Sequence, residues 1–324
     1  MSAMTTPSSP TTPRPHRRAA RQLLLGAVPV AVVAVVLLVV LALRLADARA
    51  PLAAATATAT ATVTEVGTPP DGRGLAVTFP DQDGAERSGR IQLERPLDVP
   101  VGARLGIRYD PGTPDGSLVH TEGDAASADV SDVLFGLVVV VLVLLVVGGL
   151  TLARLRGRPR LRARPAVRLT ATHVVVRQGL LVRSWLELDS SAGLRWVPVH
   201  WAAELDRLAP GTRVEVRGDP ARDRLVLPVV DGAEVWPSGR VRSREPRGTL
   251  QQATVDPAAA DVGLGRQARA DGVFPFLAPV LGLLWAYVDS SRIAGFLVAM
   301  VLSATVLFWA PQFLGSDPRA TTQS

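Results

Sequence analysis

Arginines at every second position form the densest concentration of chemistry in this sequence. Arg154, Arg156, Arg158, Arg160, Arg162 and Arg164 run in series, with Arg168 just beyond. A guanidinium fork matches phosphate oxygens. Next to a hydrophobic run, such a series attracts anionic lipid headgroups, worth roughly 1 kcal/mol per residue near the surface. The same residues also determine membrane topology. The two readings are compatible, and both stand at this point. Nucleic acid is not an expected partner, because the basic residues hug the apolar run.

Catalytic chemistry has less to build on. The chain has no cysteine, which removes thiol nucleophiles, iron–sulfur clusters, thiolate zinc sites and disulfides. The Lys+Arg total of 35 is entirely arginine. Without lysine there is no P-loop, no kinase β3 lysine and no Schiff base. The four histidines, His16, His120, His173 and His200, form no H-E-x-x-H or H-x₃₋₅-H pair, so no metal is expected. No G-x-S-x-G elbow surrounds any serine. Asp81, Asp83, Glu86 and Asp110 are the carboxylates an envelope hydrolase could use, but no spacing sets two of them at a working separation. Asp81-x-Asp83-Gly84 is a fragment of a calcium loop that lacks its later ligands, and a turn is the expected reading. No enzyme activity and no cofactor are expected.

The elements that position these residues begin with hydrophobic segments. Hydrophobic residues make up 48% of the chain and aromatics 5%, and four runs of Ala, Val and Leu hold many of the former. About 20 residues cross the roughly 30 Å hydrocarbon core. The spans are 23–43, 133–153, 272–288 and 293–315, the last two forming a hairpin through Asp289-Ser290-Ser291-Arg292. None contains Asp, Glu, Arg or His, which argues against a pump or a proton-coupled transporter. The first run follows Arg14, Arg17, Arg18 and Arg21, and Ala48-Arg49-Ala50 resembles a cleavage site. It is longer than the 7–15-residue apolar core of a signal peptide, so an uncleaved anchor is expected. Few arginines precede the second span and many follow it. The positive-inside rule then assigns a disordered cytoplasmic tail at 1–22, an extracytoplasmic domain at 46–130, a cytoplasmic domain at 154–270 and a cytoplasmic tail at 316–324. Trp285, Tyr287 and Trp309 are expected at membrane interfaces. Ala278, Gly282 and Ala286 form one small-residue stripe, and Gly295, Ala299 and Ser303 another. Each suits a hairpin contact or an oligomer seam.

Both soluble segments read as small, mainly antiparallel β-domains, barrel- or sandwich-like. In 56–64 every second residue is Thr, which places the hydroxyls on one face of a strand. Further strands are expected at 75–79, 88–93 and 104–109, then at 166–178, 180–188, 195–201, 213–217, 225–230 and 239–244. A short helical turn is expected at 205–209. Trp185, Trp196, Trp201 and Trp236 suit a core, with an aromatic recognition surface as the alternative.

An internal repeat links the two domains. Leu97-Asp98, Pro100, Gly102, Arg104, Arg108, Asp110 and Pro111 match Leu205-Asp206, Pro210, Gly211, Arg213, Arg217, Asp219 and Pro220, with one residue inserted. Upstream, Thr62-Val63-Thr64 matches Thr170-Ala171-Thr172. The motif explains itself structurally: Gly for a tight turn, alternating aliphatics for a strand, Asp-Pro to end it. Duplication is the economical reading, and convergence on the same turns is the other.

The stretch Ala61 to Val66, then Val77-Thr78-Phe79, then Gly102 to Pro111 with its Tyr-Asp-Pro ending, then Pro114, resembles the domain of unknown function 3592 family. The likeness covers about 55–120, with a weaker echo at 165–220, where Gly218 replaces Tyr109. The resemblance implies bacterial membrane proteins with a small β-domain beside hydrophobic helices, and it brings no catalytic residues. The expected whole is an α-helical, multi-pass cell-membrane protein with two small β-domains. It would serve as a scaffold or adaptor for an unidentified membrane or envelope protein. An envelope enzyme or maturation factor and a transporter accessory subunit are the alternatives.

Overall fold

A computed structural model describes residues 16–69, 72–95, 99–113, 118–288 and 293–319. The 289–292 loop, Arg14, Pro114 and the Leu97-Asp98 start of the repeat lie outside the described residues. The chain divides into two compact units. One comprises residues 34–143; the other comprises residues up to 33 together with 144 onward.

The first unit contains part of helix α1 (His16–Ala54), strands β1 (Ala57–Thr68), β2 (Gly74–Pro80), β3 (Glu86–Gln92) and β4 (Arg104–Tyr109), and the start of α2 (Ala125–Gly157). The sheet order is β3-β2-β1-β4, antiparallel throughout. The Thr-rich strand behaves as its period requires: Ala57, Ala61 and Val63 are buried, while Thr58, Thr60 and Thr64 are exposed. Bulges after Val63 and Val66 then reset the register. The core contains Leu75, Val77, Phe79, Ile91, Ile107 and Tyr109. Gly89 lets Val119 approach: a Cβ there would lie 2.8 Å from Val119 Cγ1.

The second unit holds β5 (Ala166–Gln178), β6 (Leu181–Ser190), β7 (Gly193–Val199), α3 (Ala203–Arg207), β8 (Thr212–Arg217), β9 (Leu227–Val230), β10 (Ala233–Glu234) and β11 (Thr249–Gln252). Helices α4 (Leu264–Asp271), α5 (Ala278–Val288) and α6 (Ile293–Leu314) complete it. The sheet order is β10-β9-β8-β5-β6-β7, with β11 on the far half of β5. One face packs Leu186, Leu188, Val197, Val199, Leu205 and Val216 together. The other gathers Val174, Val176, Trp185 and Trp196 under Leu250. The expected strand at 239–244 is reduced to isolated bridges, Val199–Pro237 and Trp196–Arg242.

The units share a strand plan. Strands β5 to β8 repeat the order of β1 to β4, and the registers coincide at the repeat. Thr62 pairs with Arg104, and Thr170 with Arg213. Gly102 N–H donates to the Val63 carbonyl at 2.8 Å, and Gly211 N–H to the Ala171 carbonyl at 3.1 Å. Asp110 accepts from Gly112 N–H and Asp219 from Ala221 N–H, both at 2.8 Å.

Four helical segments are long and apolar enough to cross a membrane: Arg17–Ala54, Ala125–Ala163, Leu264–Tyr287 and Gly295–Leu314. Boundaries differ from expectation in each of the first three segments: α1 runs on to Ala54 and α2 begins at Ala125, beyond the expected 23–43 and 133–153. Residues 16–22, expected in a disordered tail, are the first turns of α1, because Ala19 and Leu23 are buried with Leu161, Leu227 and Trp236. The third segment starts earlier than 272 and is interrupted. Pro275, which has no N–H to donate, sits in a 3-10 turn at Phe274–Leu277 between α4 and α5. Gly282 faces Phe296 and Met300 of α6 at about van der Waals distance; an added Cβ would meet them at 3.0 and 3.1 Å. Gly282 therefore lies in the α5–α6 contact.

Candidate functional site

The least ordinary chemistry lies in the second unit, where the ends of α1, α4 and α6 meet β6, β7 and α3. Helix α6 stops at Gly315, which takes φ +79. Ser316 N–H reaches back to the Pro311 carbonyl and Gly315 N–H to the Gln312 carbonyl. This is the left-handed helix stop in which orphan carbonyls are satisfied by the residues just beyond. The chain then joins β6: Ser316 bridges Arg183, and Asp317 N–H donates to the Val182 carbonyl at 2.9 Å.

That strap organises a buried polar network. Ser316 Oγ accepts from Gln267 Nε2 at 2.9 Å, and its carbonyl from Gln22 Nε2 at 3.2 Å. Gln267 also donates to Asp271 at 2.9 Å. Asp317 accepts from Ser184 Oγ at 2.9 Å. Arg319 pairs with Asp206 at 2.6 Å and with Asp317 at 3.4 Å. Trp201 Nε1 donates to Asp206 at 3.0 Å, and Arg18 lies over the Trp201 ring at 4.4 Å.

Three titratable groups here are far from their ordinary values. Burial lifts the Asp206 carboxyl to about 6, against the pull of Arg319. The ion pair at 2.6 Å and the raised value point in opposite directions; an acid whose side chain is 1% exposed is dominated by desolvation. Burial also lowers His173 to about 4. His200, 2% exposed, is driven well below its usual value by burial, then by Arg154, Arg158, Arg183 and Arg18. Its Nδ1 lies 3.4 Å from Gln22 Oε1. Both imidazoles are therefore neutral near pH 7.

The arginine series does not present one face. Arg154, at the end of α2, donates to the Phe313 carbonyl, with its guanidinium over the Phe313 ring. Arg158 is buried. Arg162 forms a fork to Glu234 at 2.7 Å, and Arg164 pairs with Asp223 at 3.1 Å. Arg156 and Arg160 are exposed. The backbone that carries the series is α-helix up to Gly157 and a 3-10 turn at Pro159–Ala163.

The other sequence candidates build structure. Asp81 accepts from Asp83 and Ala85 N–H and from Arg87 Nε, each at 2.9 Å, and the Arg87 bond holds its carboxyl below the usual range. Asp110 closes the turn after β4, and Asp83 and Glu86 are exposed. His120 Nδ1 lies 2.7 Å from Asp124, whose other oxygen caps α2 by accepting Ser127 N–H at 2.9 Å. Arg104 and Arg213 are exposed on equivalent strands. Pro111 is exposed and Pro220 buried. The four Trp of the sheet, Trp185, Trp196, Trp201 and Trp236, are all buried. Trp309, expected at a membrane interface, is buried too, donating to Thr151 at 3.1 Å. Among the described residues no three His, Asp or Glu side chains converge as a metal set.

The polar network escaped the sequence reading because its members come from five distant stretches. One signal was available: Gly315 directly after an apolar run, followed by Asp317-Pro318, marks a helix stop with a turn behind it. No protein-family model, curated protein or solved structure matches this chain.

Proposed function

We propose that the chain is a non-enzymatic, multi-pass protein of the bacterial cell membrane, a scaffold or adaptor that displays similar β-domains on opposite faces. The observation that carries this reading is the shared strand order and register of the two sheets, with the first sheet set in sequence between two long apolar helices. Helix α2 has 33 residues, about 50 Å at 1.5 Å per residue, more than the roughly 30 Å core requires. If α1 and α2 both cross, the sheets between and after them fall on opposite sides. The arginines beyond α2 assign the second sheet, and both termini, to the cytoplasm.

Duplication accounts for the matching turns, and closure of each sheet into a small barrel for the bridges at its edges. In the first unit Leu118 bridges Arg90 and His120 bridges Arg108, one on each edge strand. The likeness to the domain of unknown function 3592 family agrees with a small β-domain beside apolar helices. Turn-building roles for Asp81 and Asp110 favour a binding module over a hydrolase.

The cysteine-free background gives a direct test. Val101→Cys should react with an impermeant maleimide in intact cells, and Ser191→Cys should not; the reverse would refute the topology. Cross-linking at native expression should then recover a stoichiometric membrane partner. Recovery of the chain alone would refute the adaptor role.

A further inference from the structure

Three arginines of the second unit converge in a way that its own acids do not explain. Arg154 and Arg158 are four residues apart at the end of α2, so they leave the same side of the helix. Arg183 comes from β6. The end of α6 joins them: Arg154 holds the Phe313 carbonyl, and the Arg183 backbone bridges Ser316, three residues on. Phe313 packs with Leu155 around Leu161 and Trp236.

Their partners are few. Arg154 caps the α6 carbonyl end, a favourable place for a cation. Among the described residues Arg183 has one side-chain hydrogen bond, from Nη2 to Ser238 Oγ at 3.1 Å, and the Trp185 ring at 5.2 Å. Arg158 has no side-chain hydrogen bond or ion pair among the described residues. Arg158 and Arg183 are each 8% exposed, and the Nε of both is sealed without a partner. Asp317, the residue after Ser316, is already held by Ser184 and Arg319. The fourth cation near His200, Arg18, differs because Asp261, Asp317, Asp206 and Glu204 surround it.

A guanidinium does not shed its proton in a protein, and buried charges are kept where something of opposite sign completes them. A carboxylate fills one fork. Several guanidiniums around one place fit the multiple oxygens of a phosphate. We propose that Arg158 and Arg183, with Arg154 beside them, form a binding site for a phosphate group. The group belongs either to a lipid headgroup at the end of the α2 span or to free inorganic phosphate. The lipid source rests on the membrane reading above; the inorganic source does not.

The test uses the full-length protein and its melting temperature. In detergent and chloride buffer, it is titrated with inorganic phosphate. In phosphatidylcholine nanodiscs, phosphatidic acid is compared with oleate at matched charge. A saturable rise with inorganic phosphate supports a free anion, and a rise with phosphatidic acid beyond that with oleate supports the headgroup. Arg158→Gln should be at least as stable as wild type without either probe, because an unpaired buried charge is gone, yet bind about tenfold more weakly. Arg183→Lys keeps the charge, loses the fork and should weaken binding similarly. Arg222→Gln, outside the juxtamembrane series and with an exposed side chain, should match wild type. Equal responses to oleate and phosphatidic acid with none to phosphate, or an Arg158→Gln response equal to wild type, would overturn the site. Failure of the protein to resist carbonate extraction from membranes would instead sink the membrane reading, leaving the inorganic-phosphate arm to decide the site.

Discussion

Each of the two units buries a histidine near the end of a helix, and the surroundings of the two are opposites. His120 faces Asp124 at 2.7 Å, and that acid also caps α2. His200 faces Gln22 and four arginines. The sheets that support them share strand order, register and turn chemistry. The repeated part of the sequence thus records a scaffold, and the units diverge at the scaffold's ends. In the first unit those ends are closed by an acid–imidazole pair. In the second they carry a strap from the C-terminal side of α6, with the buried Arg158 and Arg183 in the same unit. A specific role is better sought there than in the repeat.

The largest contrast should come from glycine positions. Gly315 takes φ +79 and lies against Ser238, where a Cβ would come within 2.6 Å of Ser238 Cβ and 3.2 Å of the Val199 carbonyl. Gly315→Val therefore adds steric conflict to backbone strain, about 3–5 kcal/mol. Gly102→Val, at φ +88 with nothing within 4 Å, adds strain alone, about 1–2 kcal/mol. All six Trp lie in the second unit, so fluorescence melting reads that unit selectively. Gly315→Val should lower that transition sharply and leave hydrogen exchange in β1–β4 unchanged. Equal effects on both units would merge them into one cooperative block.

Acid should separate the units next. His173 is held near 4, and burial drives His200 well below its usual value. A depressed histidine contributes stability that is complete above its unfolded value near 6.5. That contribution is lost as pH falls through the folded value, because the unfolded chain takes up the proton first. Asp206, raised to about 6, has the opposite sign: its contribution is present below 3.8 and lost as pH rises through 6. Its magnitude, about 3 kcal/mol, is similar to that of His173. The two largely offset each other between pH 6 and 4, which leaves His200 to set the slope. The Trp-reported transition should fall from pH 6.5 to 4, and fall more steeply in Asp206→Asn, where the opposing group is gone. A flat profile in the wild type would mean that His200 titrates normally, and a flat profile in Asp206→Asn that His173 does so as well.

How much of this was legible beforehand depends on the range of the interaction. Strands at 75–79, 104–109, 166–178 and 213–217 were readable within a residue or two, because alternation and Gly or Asp-Pro turns are local signals. The same holds for the repeat. The start of α1 was not readable: Arg17, Arg18 and Arg21 look like a solvated tail until Ala19 and Leu23 find Trp236 more than two hundred residues away. The arginine series was readable as a basic cluster but not in its partners, because Glu234 and Asp223, which hold Arg162 and Arg164, lie far along the chain. The buried network could not be read at all, because Gln22, Ser184, Asp206, Gln267 and Ser316 share no local pattern.

A smaller effect tests the acid–imidazole pair. Asp124→Asn keeps an oxygen to cap α2 and removes the charge facing His120. Helix capping by Asn is about as good as by Asp. Loss of stability, about 1–2 kcal/mol by hydrogen exchange in β4 and the start of α2, would therefore measure the pair itself. No change would mean that the carboxylate adds nothing to the pair beyond what an amide supplies. The contrast with His200 would then shrink to its arginines.

The finest test concerns the shared turn. Gly102 and Gly211 have φ +88 and +74, and each donates its N–H across to the central strand of its sheet. A Cβ at Gly102 meets nothing within 4 Å, and at Gly211 only Thr170 Cγ2 at 4.0 Å. Sterics therefore cannot distinguish the two positions, and Ala at either should cost about 1 kcal/mol through backbone conformation alone. If the units share one scaffold, the two losses should agree within a few tenths, each read by exchange in its own sheet. The neighbouring turns are unequal, because Asp223 doubles the support of Asp219: its carboxylate accepts the Asp219 N–H at 2.8 Å. A smaller loss at Gly211 would thus show that the second unit has reinforced the inherited turn. A smaller loss at Gly102 would count against equivalence, because the less supported turn would be the more tolerant one.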